Sequence, residues 1–166
     1  EPIMLAAGAE YDGLGELKSF KNVHFQPDVC LYDLSSLEEM CGLTIPDGCV
    51  FMGLESIESI ENCTFGNNCQ LHDPHFLAVF KNCTVENMSV FGIRNSLQLL
   101  WCLFKGEIEM LETDSFDDDF ADISKVRRCE FADGVIFNAN FNGVCLDDIK
   151  SCKLGKDVIL RNFCPN

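Results

Sequence analysis

The chain repeats itself about every twenty residues, and that period restricts its fold more than any other property. One set of apolar positions runs Leu17, Phe20, Val23, Phe25, then Leu37, Met40, Leu43, Ile45, then Ile57, Ile60, Cys63, Phe65. It continues as Leu77, Phe80, Cys83, Val85, as Leu99, Cys102, Phe104, as Ile123, Val126, Cys129, Phe131, and as Leu146, Ile149, Cys152, Leu154. The third positions of successive sets lie 20, 20, 20, 19, 27 and 23 residues apart. A second set falls between them and reads Cys30/Tyr32, Cys49/Phe51, Cys69/Leu71, Ser89/Phe91, Ile108/Met110, Val135/Phe137 and Val158/Leu160.

Both sets contain short segments of period two, the pattern of strands with one buried face. A unit of this length with two or three short strands is one coil of a parallel β-helix, each coil stacking about 4.8 Å above the last. The expectation is therefore an all-β parallel β-helix of about seven coils. None of the eleven cysteines is in a CxxC pair, and those of the two apolar sets then recur at equivalent inward positions. Thiols are small hydrophobes that suit a narrow interior, so a buried column of reduced cysteines is preferred to a zinc site or a disulfide scaffold. Reduced thiols in turn favour an intracellular, cytoplasmic setting. Asn22, Asn62 and Asn82 share one slot with Gly42, which predicts a turn where side-chain amides stack along the axis.

With repeats such as "IENCTF" (60–65) and "FKNCTV" (80–85), the chain resembles right-handed parallel β-helix proteins over roughly residues 17–160. The likeness identifies a fold superfamily. Pentapeptide-repeat proteins are a more distant likeness, because their five-residue period is absent. A leucine-rich repeat has units of similar length, but each repeat here carries a second apolar strand where such proteins place a helix or 3₁₀ segment.

One domain is expected, since no linker divides the chain. Residues 1–16, "EPIMLAAGAEYDGLGE", read as a short helix or irregular N-terminal cap, and 17–166 as the β-helix. The 27-residue interval between Cys102 and Cys129 marks an insertion at about 111–122, containing "TDSFDDDFAD" (113–122). Insertions in solenoids project from one face, often the one that binds.

The formal net charge is −15. Direct nucleic-acid binding and docking on anionic lipid both need clustered Lys and Arg, so neither is expected. Residues 1–80 carry thirteen acids against Lys18 and Lys21, while 81–166 carry fourteen against ten bases. The candidate contact residues are Glu107, Glu109, Glu112, Asp114, Asp117, Asp118, Asp119 and Asp122 in one cluster, with Glu38, Glu39, Glu55, Glu58 and Glu61 in the N-terminal half. Glu38 and Glu58, one period apart, are expected to stack on one face.

Other chemistries fit less well. Clustered carboxylates suit calcium, but EF-hand spacing and its glycine are missing. Asp114, Asp117, Asp118 and Asp119 with Lys125, Arg127 or Arg128 imitate the sites of polysaccharide-cleaving β-helices, which are longer and flank their groove with long loops. His24, between inward Val23 and Phe25, should face solvent, and His72-Asp-Pro-His75 reads as a surface turn. No catalytic residue, metal site or cofactor is therefore assigned.

The remaining signal is the surface field. About seven coils make a rod on the order of 34 Å long, carrying roughly 0.4 negative charges per Å against about 0.6 for duplex DNA. Pentapeptide-repeat solenoids imitate DNA in this way. The resemblance thus implies a non-catalytic, acidic interaction protein whose partner carries a basic, nucleic-acid-binding groove. Its sharpest form is a mimic that inhibits a nuclease or DNA-binding complex, such as an anti-CRISPR protein. The alternatives are a structural or adaptor β-helix of a larger protein, and the carbohydrate-active enzyme.

Overall fold

The computed structural model describes residues 2–112, 122–140 and 149–162. They form an all-β parallel solenoid of about seven coils, with a single 3₁₀ turn at Ile149–Ser151 among the described residues. An eight-stranded sheet stacks Glu10–Tyr11, Cys30–Leu31, Val50–Phe51, Cys69–His72, Met88–Ile93, Glu107–Glu112, Ile136–Asn140 and Ile159–Arg161. A five-stranded sheet stacks Glu39–Cys41, Ser59–Glu61, Val79–Lys81, Ser96–Leu100 and Asp122–Arg127. A six-stranded sheet runs from Thr44–Ile45 to Lys153–Leu154. Within each coil the chain passes along these three sheets in that order, turning at a first, a second and a third corner.

Every strand pair is parallel and joins neighbouring coils, as in Val79 with Ser59 and Gln98, or Thr84 with Thr64 and Leu103. Residues 1–16 enter the same register: Ile3–Leu5 pairs with Val23–Phe25, and Glu10–Tyr11 with Cys30–Leu31. The stretch read as a helix or irregular cap thus contains rungs of the stack. Ile3–Leu5 and Val23–Phe25 form a sheet of their own, separated from Thr44–Ile45 by a cleft of about 270 Å³. Pro46 explains the break. Gly66 N–H bonds Ile45 O at 2.7 Å and Glu86 N–H bonds Phe65 O at 3.3 Å, but proline has no N–H with which to make the equivalent bond one coil lower.

The core is continuous and, among the described residues, contains no buried polar or charged side chain. Phe51, Phe65, Phe80, Phe104, Phe131 and Phe137 fill it, and the Phe104 ring lies 5.3 Å from Phe131 and 5.1 Å from Phe137. The first apolar set points inward as expected from Leu37 to Phe131. The second set is corrected at two coils. Leu31, not Tyr32, pairs with inward Phe51, and Met88 and Val90, not Ser89 and Phe91, pair with Cys69 and Leu71. A one-residue slip reverses every side chain in a strand. At Met88–Val90 it arises because the third corner is one residue shorter between Val85 and Val90 than between Phe65 and Leu71. A further inward column, Leu34, Leu54 and Ile93, lies beyond the second set and went unread in the sequence.

Cys63, Cys83, Cys102 and Cys129 are buried at one slot on successive coils, with Cys152 half-buried above them. Each thiol of the buried four also donates to the carbonyl two residues before it, at 3.3–3.5 Å. Hydrogen bonds between neighbouring thiols and burial push Cys63 and Cys102 above the ordinary thiol range. Burial first, and then the charges of Cys49 and Asp47, push Cys69, in the second column, up to about 12.

The corners turn through left-handed residues. The first uses Gly13, Asp33, Gly53, Asp73 and Gly92, and the second Asn22, Gly42, Asn62, Asn82, Trp101 and Arg128. Asn and Asp tolerate this backbone, whereas Trp101 and Arg128 each sit there at a cost of about 1–2 kcal/mol. Amides stack as predicted where two follow each other: Asn82 Nδ2 donates to Asn62 Oδ1 at 2.7 Å. A second stack at the third corner joins Asn87 Nδ2 to Asn67 Oδ1 at 3.2 Å.

Candidate partner-binding surface

The three sheets separate the predicted contact residues into different electrostatic settings. Glu55 is exposed at the first corner, between the eight-stranded and five-stranded sheets. Exposed Asp12, Glu16 and Asp33 and partly exposed Asp73 stand at the same corner on other coils, unremarked in the sequence because nothing there groups them. Glu112 ends one strand by pairing with Ile93, and Asp122 opens another by pairing with Ser96, whose hydroxyl donates to its carboxylate. The insertion therefore leaves and re-enters the solenoid at this corner. Asp114, Asp117, Asp118 and Asp119 lie outside the described residues. Counted over the described residues 11–17, 32–37, 52–57, 72–77, 91–97 and 122, the first corner carries six carboxylates and one base, Arg94, a net of −5.

Glu38, Glu39, Glu58 and Glu61 lie instead on the outer face of the five-stranded sheet. Glu38 and Glu58 do stack: Glu58 N–H bonds Glu38 O at 2.9 Å, and Glu38 N–H bonds Lys18 O at 3.2 Å. Lys18 thus continues the same column one coil down. Glu61 pairs in register with Cys41 below and Lys81 above. The only two lysines of residues 1–80, Lys18 and Lys21, line a cleft of about 370 Å³ with Glu38, Glu39 and Glu58. Over 18–21, 38–41, 58–61, 78–81, 98–100 and 123–127 this face holds four acids and five bases. These glutamates belong to a mixed face, where opposite charges already relieve the repulsion of the stacked pair.

Glu107 and Glu109 occupy a third setting. They line a shallow groove of about 340 Å³ with Asn68, Gln70, Asn87 and Ser89, on the eight-stranded sheet near the third corner. Glu107 N–H is held by Asn87 Oδ1 at 2.6 Å. Below them the outer face of that sheet is uncharged for four coils. Cys30, Val50, Gln70 and Ser89 form one column, and Tyr32, Met52, His72 and Phe91 the next. At its lower end the Tyr32 phenol is pushed up to about 12, first by its hydrogen bond with Cys30 and then by the charges of Cys30, Glu10 and Asp12.

The histidines behave as turn and surface residues. His24 is exposed. His72 stacks on Phe91 at 4.9 Å and bonds Gln70 Oε1 at 2.9 Å, while His75 Nε2 lies 3.8 Å from Asp73 Oδ1. Among the described residues no three His, Cys, Asp or Glu side chains converge on a point that could hold a metal ion. The carboxylates of the carbohydrate-active reading, Asp114, Asp117, Asp118 and Asp119, lie outside the described residues.

No helix among the described residues is long and apolar enough to cross a membrane. The fold and its surface define a parallel β-solenoid with a strongly acidic first corner. Comparison with protein-family models, curated proteins and solved structures finds no match, so the functional reading rests on sequence and geometry.

Proposed function

We propose that this chain is a non-catalytic interaction solenoid that docks a basic groove of a protein partner through its first corner. The observation carrying this reading is the concentration, among the described residues, of six carboxylates against a single base along one edge of a rigid stack. Asp12 and Glu16, Asp33, Glu55 and Asp73 put at least one carboxylate on each of four neighbouring coils that rise about 4.8 Å apiece, an array of negative charge carried by a preformed scaffold. Such an array favours fast, salt-sensitive association with a cationic groove. The sharper form is nucleic-acid mimicry: a right-handed β-helix acting in a reducing, intracellular setting to inhibit a nuclease or DNA-binding complex.

The test is competition with duplex DNA for a panel of nucleases and DNA-binding proteins, at low and high salt. Neutralising Asp33, Glu55 and Asp73 to Asn or Gln should weaken competition about tenfold or more. Neutralising Glu38, Glu39 and Glu58 should change it little. Equal effects from both sets, or competition unaltered by salt, would reject the first corner as the contact.

A further inference from the structure

The second corner changes character halfway along the axis. In the lower coils its left-handed position is held by Asn22, Gly42, Asn62 and Asn82. In the next two it is held by Trp101 and Arg128, each at φ 53°. Strain of this kind persists where the surroundings impose it, and it gathers at functional surfaces. Packing does not conceal Trp101, which is 44% exposed. Its ring lies near two cations, with Lys81 Nζ 5.5 Å and Arg128 Cζ 6.0 Å from the centroid.

The neighbouring positions reinforce this. The described residues 79–84, 98–103, 125–130 and 149–153 carry six of the chain's twelve bases against one acid, Glu130. The two ion pairs among the described residues, His75–Asp73 and Lys105–Glu86, involve none of Lys81, Lys125, Arg128, Lys150 and Lys153. A strongly acidic molecule thus keeps a cationic strip, with an exposed indole in it, at the end of the five-stranded sheet opposite the acidic corner.

We propose that Lys81, Trp101 and Arg128 form a docking site for an acidic peptide segment of a protein partner, whose carboxylates bridge the two cations across the indole. The two cationic centres can be no more than about 11.5 Å apart, given their distances from one centroid. In an extended peptide, side chains two residues apart point the same way about 6.7 Å from each other, so alternate Asp or Glu residues reach both cations. A nucleic-acid strand fits less well. Its bases need a free aromatic face, where the cations now lie, and its phosphates meet the net charge of −15. The site is independent of the first-corner reading, and either can fail without the other.

Trp101 is the single tryptophan, so its fluorescence reports on the site directly. Titration with a short peptide of alternating Glu and Gly should change the emission saturably at low salt and lose the effect at high salt. The double variant Lys81→Gln, Arg128→Gln should bind the labelled peptide about tenfold or more weakly, read by anisotropy. Trp101→Asn should also weaken binding while melting no lower than the parent chain, since asparagine suits the backbone. No saturable change, unaltered binding by the double variant, or tighter binding of a single-stranded oligonucleotide of equal charge would overturn the proposal. So would a Trp101→Asn chain that melts well below the parent, because the indole would then be a structural clamp.

Discussion

Asn82 donates its side-chain amide to Asn62 Oδ1 at 2.7 Å, across one coil, while both backbones take left-handed angles of 51° and 56°. One residue type thus meets two requirements of the second corner. It accepts a conformation that costs most residues about 1 kcal/mol or more, and it links adjacent coils by a bond worth about 1 kcal/mol. Asn82→Ala should therefore cost about 2 kcal/mol, and Asn82→Gly about half that because glycine keeps the angle. Urea midpoints of the two variants measure the difference.

The same corner contains a vacancy in its amide stack. Gly42 sits between Asn22 and Asn62 at φ 68°, with nothing within 4 Å of where a Cβ would be. Gly42→Asn should be neutral or stabilise by up to about 1 kcal/mol, supplying an amide to the stack and restricting the unfolded chain. Gly66 is the opposite case, since its Cβ would lie 2.7 Å from the main-chain nitrogen of Asp47. Gly66→Ala should cost more than about 2 kcal/mol, because backbone rather than a flexible side chain must move. Thermal melts of the two variants should shift in different directions or by clearly different amounts.

Alkaline pH should destabilise the chain through its interior thiols. Cys69 is held up at about 12 by burial, against an ordinary value of 9.0. The folded state therefore keeps a proton that the unfolded state releases. The contribution is intact below about pH 9 and is lost as pH rises toward 12, at about 1.4 kcal/mol per pH unit for this one group. Chemical denaturation between pH 8 and 11 should show a steep fall, and Cys69→Ala should flatten it.

Thiol reactivity should follow position rather than sequence order. Cys41 is exposed, Cys30 and Cys152 are half-buried, and Cys49, Cys63, Cys69, Cys83, Cys102 and Cys129 are buried. Among the described thiols, brief alkylation of the native chain should label Cys41 first and the buried six only on unfolding. Mass spectrometry of the digested protein reads the order.

The sequence made the coil legible because its apolar positions face one interior, and the 20-residue period shows directly in Cys63 and Cys83. Corners were harder. Deleting one residue after Val85 shifts the next strand's pattern without leaving a mark in composition, so Ser89 and Phe91 read as inward when Met88 and Val90 are. Cys30 misled for another reason: a cysteine in a cysteine-rich column looks inward, although Val29 fills that slot. The candidate surface was legible as charge but not as place. Glu55 and Glu58 are three residues apart, yet one stands at the acidic corner and the other beside Lys18 and Lys21 on the mixed face. That division depends on where the chain turns.

Pairing on either side of the insertion has a consequence for how such a chain could change. Leu97 and Ile123 are neighbours, as are Leu99 and Val126, although the intervals have grown to 26 and 27 residues. The stack behaves as a graduated scale: whatever departs at a corner, the next coil resumes one mark further along the axis. Duplicating a 20-residue unit would move the surfaces above it by one mark, about 4.8 Å, with the core pattern unchanged. Distances between docking points on this molecule would then be set in whole numbers of coils.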